Sequence, residues 1–153
     1  CDTFKTDKVT IHTQSTDITN ILQNYLKGDR FLFRIEIRNN DDILNLHYNS
    51  PRPTVLVSPS LSYGVDLRDD LARFCIIVKL PYLPLGNKRI KRLFDRDKQW
   101  YQNQMLNTLV QMCGRSTRGK QDYSTTYILD GNAFKVLPQV LNKLPSHFVD
   151  RIK

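Results

Sequence analysis

Five short runs rich in β-branched and aromatic residues alternate with segments of helical periodicity, and this alternation constrains the fold more than any other feature. The runs are residues 8–13, 31–37, 54–58, 74–78 and 123–129. Each has strand length and strand composition. After the first run, Gln14, Ser15, Thr16 and Asp17 supply hydroxyl caps and a first-turn acid. Ile18, Ile21, Leu22, Tyr25 and Leu26 then recur at helical spacing until Gly28. Asn39, Asn40, Asp41 and Asp42 cap a second helix carrying Ile43, Leu44 and Leu46, and Pro51 and Pro53 close it. Residues 88–112 read as a long helical stretch in two pieces. Asp130, Gly131 and Asn132 open a last helix with Phe134, Leu137, Val140, Leu141 and Leu144. The order is βαβαββαβα. Near-continuous apolar strands predict burial on both faces, hence a mainly parallel sheet in a layered α/β domain. Open parallel sheets gather ligands at the carboxyl ends of their strands. The loops after Thr13, after Ser58, after Lys79 and between Met112 and Tyr123 are therefore expected to carry the site.

At 153 residues the chain is one ordinary domain, with no linker or repeat to divide it. No run of 18 apolar residues is present, so no membrane span or membrane partner is expected. The start, Cys1-Asp2-Thr3-Phe4-Lys5, is neither a Met nor a signal peptide and reads as an excised domain or a processed chain. The three cysteines are Cys1, Cys75 and Cys113. An odd count without a CxxC pair argues against a disulfide framework, a zinc site or an iron–sulfur cluster, and favours a reducing, intracellular compartment. His12, His47 and His147 make no metal-ligand spacing. The formal charge of +8 makes a polyanion partner plausible.

Two segments carry chemistry. At positions 111–118, Gln111 is followed by Gly114, Arg115 and Arg118 at a helix end before a strand. Gly114 lets backbone approach a ligand. Two guanidinium forks three residues apart suit a phosphate chain. Gln111 can donate and accept. A plain basic loop, with Lys120 adding charge, is the alternative. At positions 58–67, Ser58, Ser60 and Ser62 precede Gly64 and the lone carboxylate Asp66. Such a loop can hold phosphate, with Asp66 accepting from a ribose hydroxyl or orienting an arginine. A plain turn at Gly64 capped by Asp66 is the alternative there.

Together, in this order and separation, the segments resemble motifs V and VI of superfamily 2 helicases of the XPD/Rad3/DinG type. Residues 62–67, Ser-Tyr-Gly-Val-Asp-Leu, resemble that family's S-E-G-[VI]-D-[FL]. Residues 70–82 resemble the stretch leading into its LPY turn, and residues 111–118 its Q-x-x-G-R-x-[IL]-R. Asp122 and Asp130 match its following acids. Residues 11–15, Ile-His-Thr-Gln-Ser, stand where motif IV is usual. Tyr63 replaces the family's Glu, Thr117 an aliphatic residue, and Thr125 and Thr126 stand where Gly is common. The chain holds no G-x-x-x-x-G-K-[ST] and no DEAD-like box.

The resemblance implies that residues 1–153 form a single RecA-like three-layer domain, the second of two. The first, with Walker A and B, lies outside this chain. The implied role is as a motor domain of an ATP-dependent helicase moving 5′→3′ on single-stranded DNA. ATP and Mg²⁺ would be shared with the first domain, and the chain alone would hydrolyse no ATP. Arg115 and Arg118 would be arginine fingers, with Gln111, Gly114, Gly64 and Asp66 lining the nucleotide cleft. Thr13, Ser15 and Ser60 would bind DNA phosphates. Lys88 and Lys91 belong to a stretch of interleaved cations and rings suited to single strands. The plainer reading of that stretch is a solvated helix with Leu93, Phe94 and Trp100 packed inward. The rival to a motor domain is a stand-alone module binding nucleic acid or protein without catalysis.

Overall fold

The computed structural model describes residues 5–34, 40–59, 67, 69–114 and 123–149. The elements are β1 (Val9–His12), α1 (Thr16–Tyr25), β2 (Phe31–Phe33), α2 (Asn40–Asn49), β3 (Val55–Ser58), β4 (Phe74–Ile77), α3 (Lys88–Arg96), α4 (Lys98–Gly114), β5 (Thr125–Ile128), α5 (Ala133–Val140) and α6 (Ser146–Val149). One-turn 3₁₀ segments stand at Asp69–Leu71 and Leu141–Lys143. The five strands form one sheet in the order β2-β3-β1-β4-β5, and every pairing is parallel. This is the α/β architecture that the alternation predicts.

Two layers cover the sheet. On one face Val9, Ile11, Val55 and Val57 are buried, packed with Leu22 and Leu26 of α1. On the other, Cys75 and Ile77 meet Met105, Leu106, Leu109 and Met112 of α4 and Leu137 and Val140 of α5. Beside them Leu56 packs against Ile43, Leu44 and Tyr48 of α2.

The expectation of burial on both faces fails for β5, whose residues alternate between exposed and half-buried. The reason is position. β5 is an edge strand paired only with β4, and the α1 layer lies over β1 and β3, leaving Tyr127 43% exposed against Phe74, with ring centroids 6.5 Å apart.

All strands point one way, so the segments after β1, β3, β4 and β5 share the carboxyl edge. Thr13 N donates to Ser58 O at 3.1 Å, Val78 N to His12 O at 2.9 Å, and Leu129 N to Ile77 O at 2.9 Å. The connection between Met112 and Tyr123, of which residues 115–122 lie outside the described residues, leads into the amino end of β5. There Tyr123 meets Arg73, which precedes β4: Arg73 donates to Tyr123 O at 2.9 Å and lies 4.4 Å from its ring centroid.

α1 starts as its sequence dictates. Gln14 takes φ 65°, a left-handed turn that aims the chain away from the sheet. Ser15, extended, accepts from Ile18 N at 3.2 Å. Replacing Ser15 with Ala is expected to cost about 1 kcal/mol, read as a lowered urea midpoint with unchanged slope. An unchanged midpoint would remove the cap from the account.

His47 ties three elements together inside the domain. It is fully buried. Its Nε2 lies 2.7 Å from Leu71 O and its Nδ1 2.8 Å from Thr54 Oγ1. A carbonyl only accepts, so Nε2 carries the proton and Nδ1 accepts from the Thr54 hydroxyl. Lys8 Nζ donates to the carbonyls of His47 and Tyr48 at 2.6 and 3.1 Å, a cation at the carboxyl end of α2.

Candidate functional site

The carboxyl edge collects the polar groups after β1, β3, β4 and β5. Thr13 is completely buried: its Oγ1 is 2.6 Å from Thr19 Oγ1 and donates to Ser15 O at 3.2 Å. The expectation that Thr13 meets phosphate is corrected accordingly. Its hydroxyl is spent on positioning the start of α1. Ser15, half-buried beside it, uses its oxygen as an acceptor for Ile18 N. A hydroxyl that accepts still has a proton to donate, so Ser15 retains phosphate-binding chemistry. Ser60 lies outside the described residues.

Asp130 organises the same edge. The carboxylate is buried and accepts from Leu80 N and Asn132 N, both at 3.0 Å, so one side chain fixes the turn after β4 and the start of α5. Burial alone would raise its pKa. The two amides, with Lys79 3.9 Å away, hold it below the usual carboxylate range instead. Lys79 is half-exposed and adds a cation to the edge that the sequence reading did not single out.

Lys88 and Lys91 are exposed on α3. Asn87 caps that helix by accepting from Arg89 N and Ile90 N. Lys91 reaches Asp95 at 2.7 Å, an exposed pair of little energetic consequence. No residue of α3 is fully buried, so Leu93 and Phe94 pack only partly inward. Tyr101 on α4 is the buried ring instead.

Of the residues expected to line a nucleotide cleft, Gln111 and Gly114 occupy the last turn of α4, and both are exposed. A Cβ built on Gly114 would meet nothing within 4 Å, so a ligand can approach its backbone. Gly64, Asp66, Arg115, Arg118 and Asp122 lie outside the described residues. The loop after β1, at the carboxyl edge, reaches this end of α4: Gln14 Nε2 stands 3.5 Å from Met112 Sδ.

Cys75 and Cys113 are free. Burial pushes their thiols up to about 11 and about 12, which makes them poor nucleophiles at neutral pH. Among the described residues no three His, Cys, Asp or Glu side chains gather to hold a metal ion, and no helix is long and apolar enough to cross a membrane.

Comparison with known proteins agrees with the geometry. The ATP-dependent DNA helicase CHL1 of Candida albicans is 30% identical over 115 residues, covering 63% of this chain and 13% of that protein. A regulator of telomere elongation helicase 1 homolog from Caenorhabditis briggsae is 26% identical over 107 residues, covering 60% of this chain and 11% of its own. The chain thus corresponds to a small part of these relatives. Among solved structures, an apo XPD structure superposes with TM-score 0.69 at 20% identity, covering 90% of this chain and 30% of that one. The S. tokodaii Xpd4 structure gives 0.63 at 16%, covering 94% and 30%. The family model of the helicase C-terminal domain matches residues 3–149. The chain belongs to the helicase C-terminal domain family, and its five-stranded parallel sheet is the RecA-like fold of the XPD helicases.

Proposed function

We propose that this domain is the second motor domain of an ATP-dependent DNA helicase or translocase, acting 5′→3′ on single-stranded DNA with a first RecA-like domain as its partner. The observation that carries the reading is the family match across residues 3–149, which contains every segment assigned a role.

ATP, when bound between the two domains with Mg²⁺, supplies the phosphoanhydride whose cleavage drives opening and closing. The described residues fit such a ligand at one point, the open backbone of Gly114 beside the exposed Gln111. No described residue is assigned to hold Mg²⁺, which falls to the first domain. Arg115 and Arg118 would present planar forks to charge developing on the transferred phosphoryl group. Gly64 and Asp66 would line the same cleft. Ser15 at the carboxyl edge, together with Ser60, Lys88 and Lys91, would hold the DNA backbone, which requires no base readout.

Binding of a fluorescent single strand across a salt series tests the DNA half of the proposal. The chain is expected to bind weakly and without sequence preference. Its log affinity should fall against log salt with a slope of about −0.7 per neutralised phosphate. A flat salt response, or tight binding to one sequence alone, favours the stand-alone protein-binding or sequence-reading alternative. No ATP turnover is expected from the chain by itself.

A further inference from the structure

The chain between β4 and α3, with α3 and the first turns of α4, encloses an aromatic groove of about 320 Å³. Its walls include Tyr82, Phe94 and Tyr101, with Lys98, Gln99 and Gln102 at the lip. The rings are already organised. Tyr82 and Tyr101 stack with centroids 5.4 Å apart and planes 19° from parallel, and Phe94 meets Tyr101 edge-on at 5.0 Å. Tyr101 is pinned from behind, its hydroxyl donating to Leu83 O at 2.6 Å, and it is only 8% exposed. Tyr82 lies over it at 39% exposure, so one face of the Tyr82 ring backs onto a fixed ring and part of the residue remains open to a ligand.

Charge selects the ligand. Residues 88–98 carry Lys88, Arg89, Lys91, Arg92, Arg96 and Lys98 against Asp95 and Asp97. Asp97 is occupied capping α4 through Trp100 N. Lys91 and Lys98 stand 5.3 and 5.9 Å from the Phe94 centroid. A basic peptide is repelled by such a lip. An acidic peptide offers carboxylates but no flat group for Tyr82. Single-stranded nucleic acid alternates a flat ring with a phosphate, matching an open ring beside cations. Position agrees: Tyr82 follows the end of β4, at the carboxyl edge where Ser15 also follows β1. Burial, then Tyr101 and Asp130, keep the Tyr82 phenol above its ordinary pKa, so it stays neutral and able to donate.

We propose that the open face of Tyr82 stacks one nucleobase of a bound single DNA strand, with Lys98 beside the adjoining phosphate. The inference rests on the single-strand reading above and adds to it a base-contacting side chain. Sequence reasoning passed over Tyr82 because its partners, Phe94 and Tyr101, follow it by 12 and 19 positions.

The test compares two probes of equal phosphate content, a short thymidine oligonucleotide and the same strand with abasic residues at its centre, titrated by anisotropy. The wild-type chain is expected to prefer the base-bearing strand by on the order of tenfold. Tyr82→Phe should keep that preference, and Tyr82→Ala should lose it while still binding the abasic strand as wild type does. Circular dichroism checks that the variants fold. A second readout needs no variant: one 2-aminopurine in the strand should be quenched on binding, as stacked bases are. Equal affinity of wild type for the two strands, an undiminished preference in Tyr82→Ala, or an unquenched 2-aminopurine overturns the proposal while leaving phosphate-based DNA binding intact. No binding of either strand by wild type overturns both.

Discussion

Replacing Arg118 with alanine, in a protein that carries this domain together with a first RecA-like domain, is expected to lower DNA-stimulated ATP turnover by on the order of 10³-fold or more. Single-strand affinity should be nearly unchanged. Arg115→Ala is expected to behave alike. Under the proposed assignment both guanidinia would act when charge moves in the transition state, which differs from the moment DNA docks. Lysine at either position should restore little, because a point charge lacks the planar two-pronged donor. The measurement pairs ATPase rate and single-strand affinity on the same preparations. Near-normal ATPase in both variants would sink the arginine-finger assignment. A loss of DNA binding in step with ATPase would place the loop on the DNA track instead.

Acid is expected to destabilise the domain through His47. Burial pushes its pKa down from 6.5 to about 4, with Lys8 adding to the fall and the Leu71 carbonyl opposing it. The unfolded chain therefore takes up this proton first as pH falls. The histidine's contribution is complete above about pH 6.5 and is lost as pH drops toward 4, amounting to on the order of 3 kcal/mol. Protonation would also give Nδ1 a hydrogen facing the Thr54 hydroxyl, which must then turn its own proton elsewhere. Urea unfolding from pH 7 to pH 4 should show stability falling more steeply in wild type than in His47→Gln, whose side chain can still donate to one partner and accept from the other. Parallel pH profiles would refute this, as would an imidazole resonance titrating near pH 6.5 in the folded protein.

Local grammar made most of this fold readable. Ser15 before an amphipathic run, Gly28 after it, and apolar runs of strand length at residues 55–57 and 74–77 signal their elements through neighbours a few positions away. What the sequence conceals depends on distant partners. Nothing near Thr125 says that β5 will sit at an edge with Tyr127 half in water. Nothing near Thr13 says that Thr19 will claim its hydroxyl. The His47 network joins residues 8, 47, 54 and 71, and the Tyr82 groove joins two helices to a turn; neither leaves a spacing that a linear reading can detect. The phosphate-binding candidates were visible for the opposite reason. Gln111, Gly114, Arg115 and Arg118 fall within eight consecutive positions, and motif density is a local property.

The place of β1 has a consequence for how the domain is made. Among the five strands of this sheet it is the first to be synthesised and the middle one in space, flanked by β3 and β4. Neither neighbour precedes it, and the second is not complete until Ile77 has been added. At typical elongation speeds that interval lasts several seconds, during which Val9 and Ile11 have an unsatisfied flank on a nascent chain. β2 and β3 can pair with each other in the meantime, but β4 and β5 meet them only through β1. A lesion in four early residues, Val9–His12, therefore separates the sheet into two halves with no shared hydrogen bond. β1 is where translation pauses and chaperone capture would bear most heavily on yield.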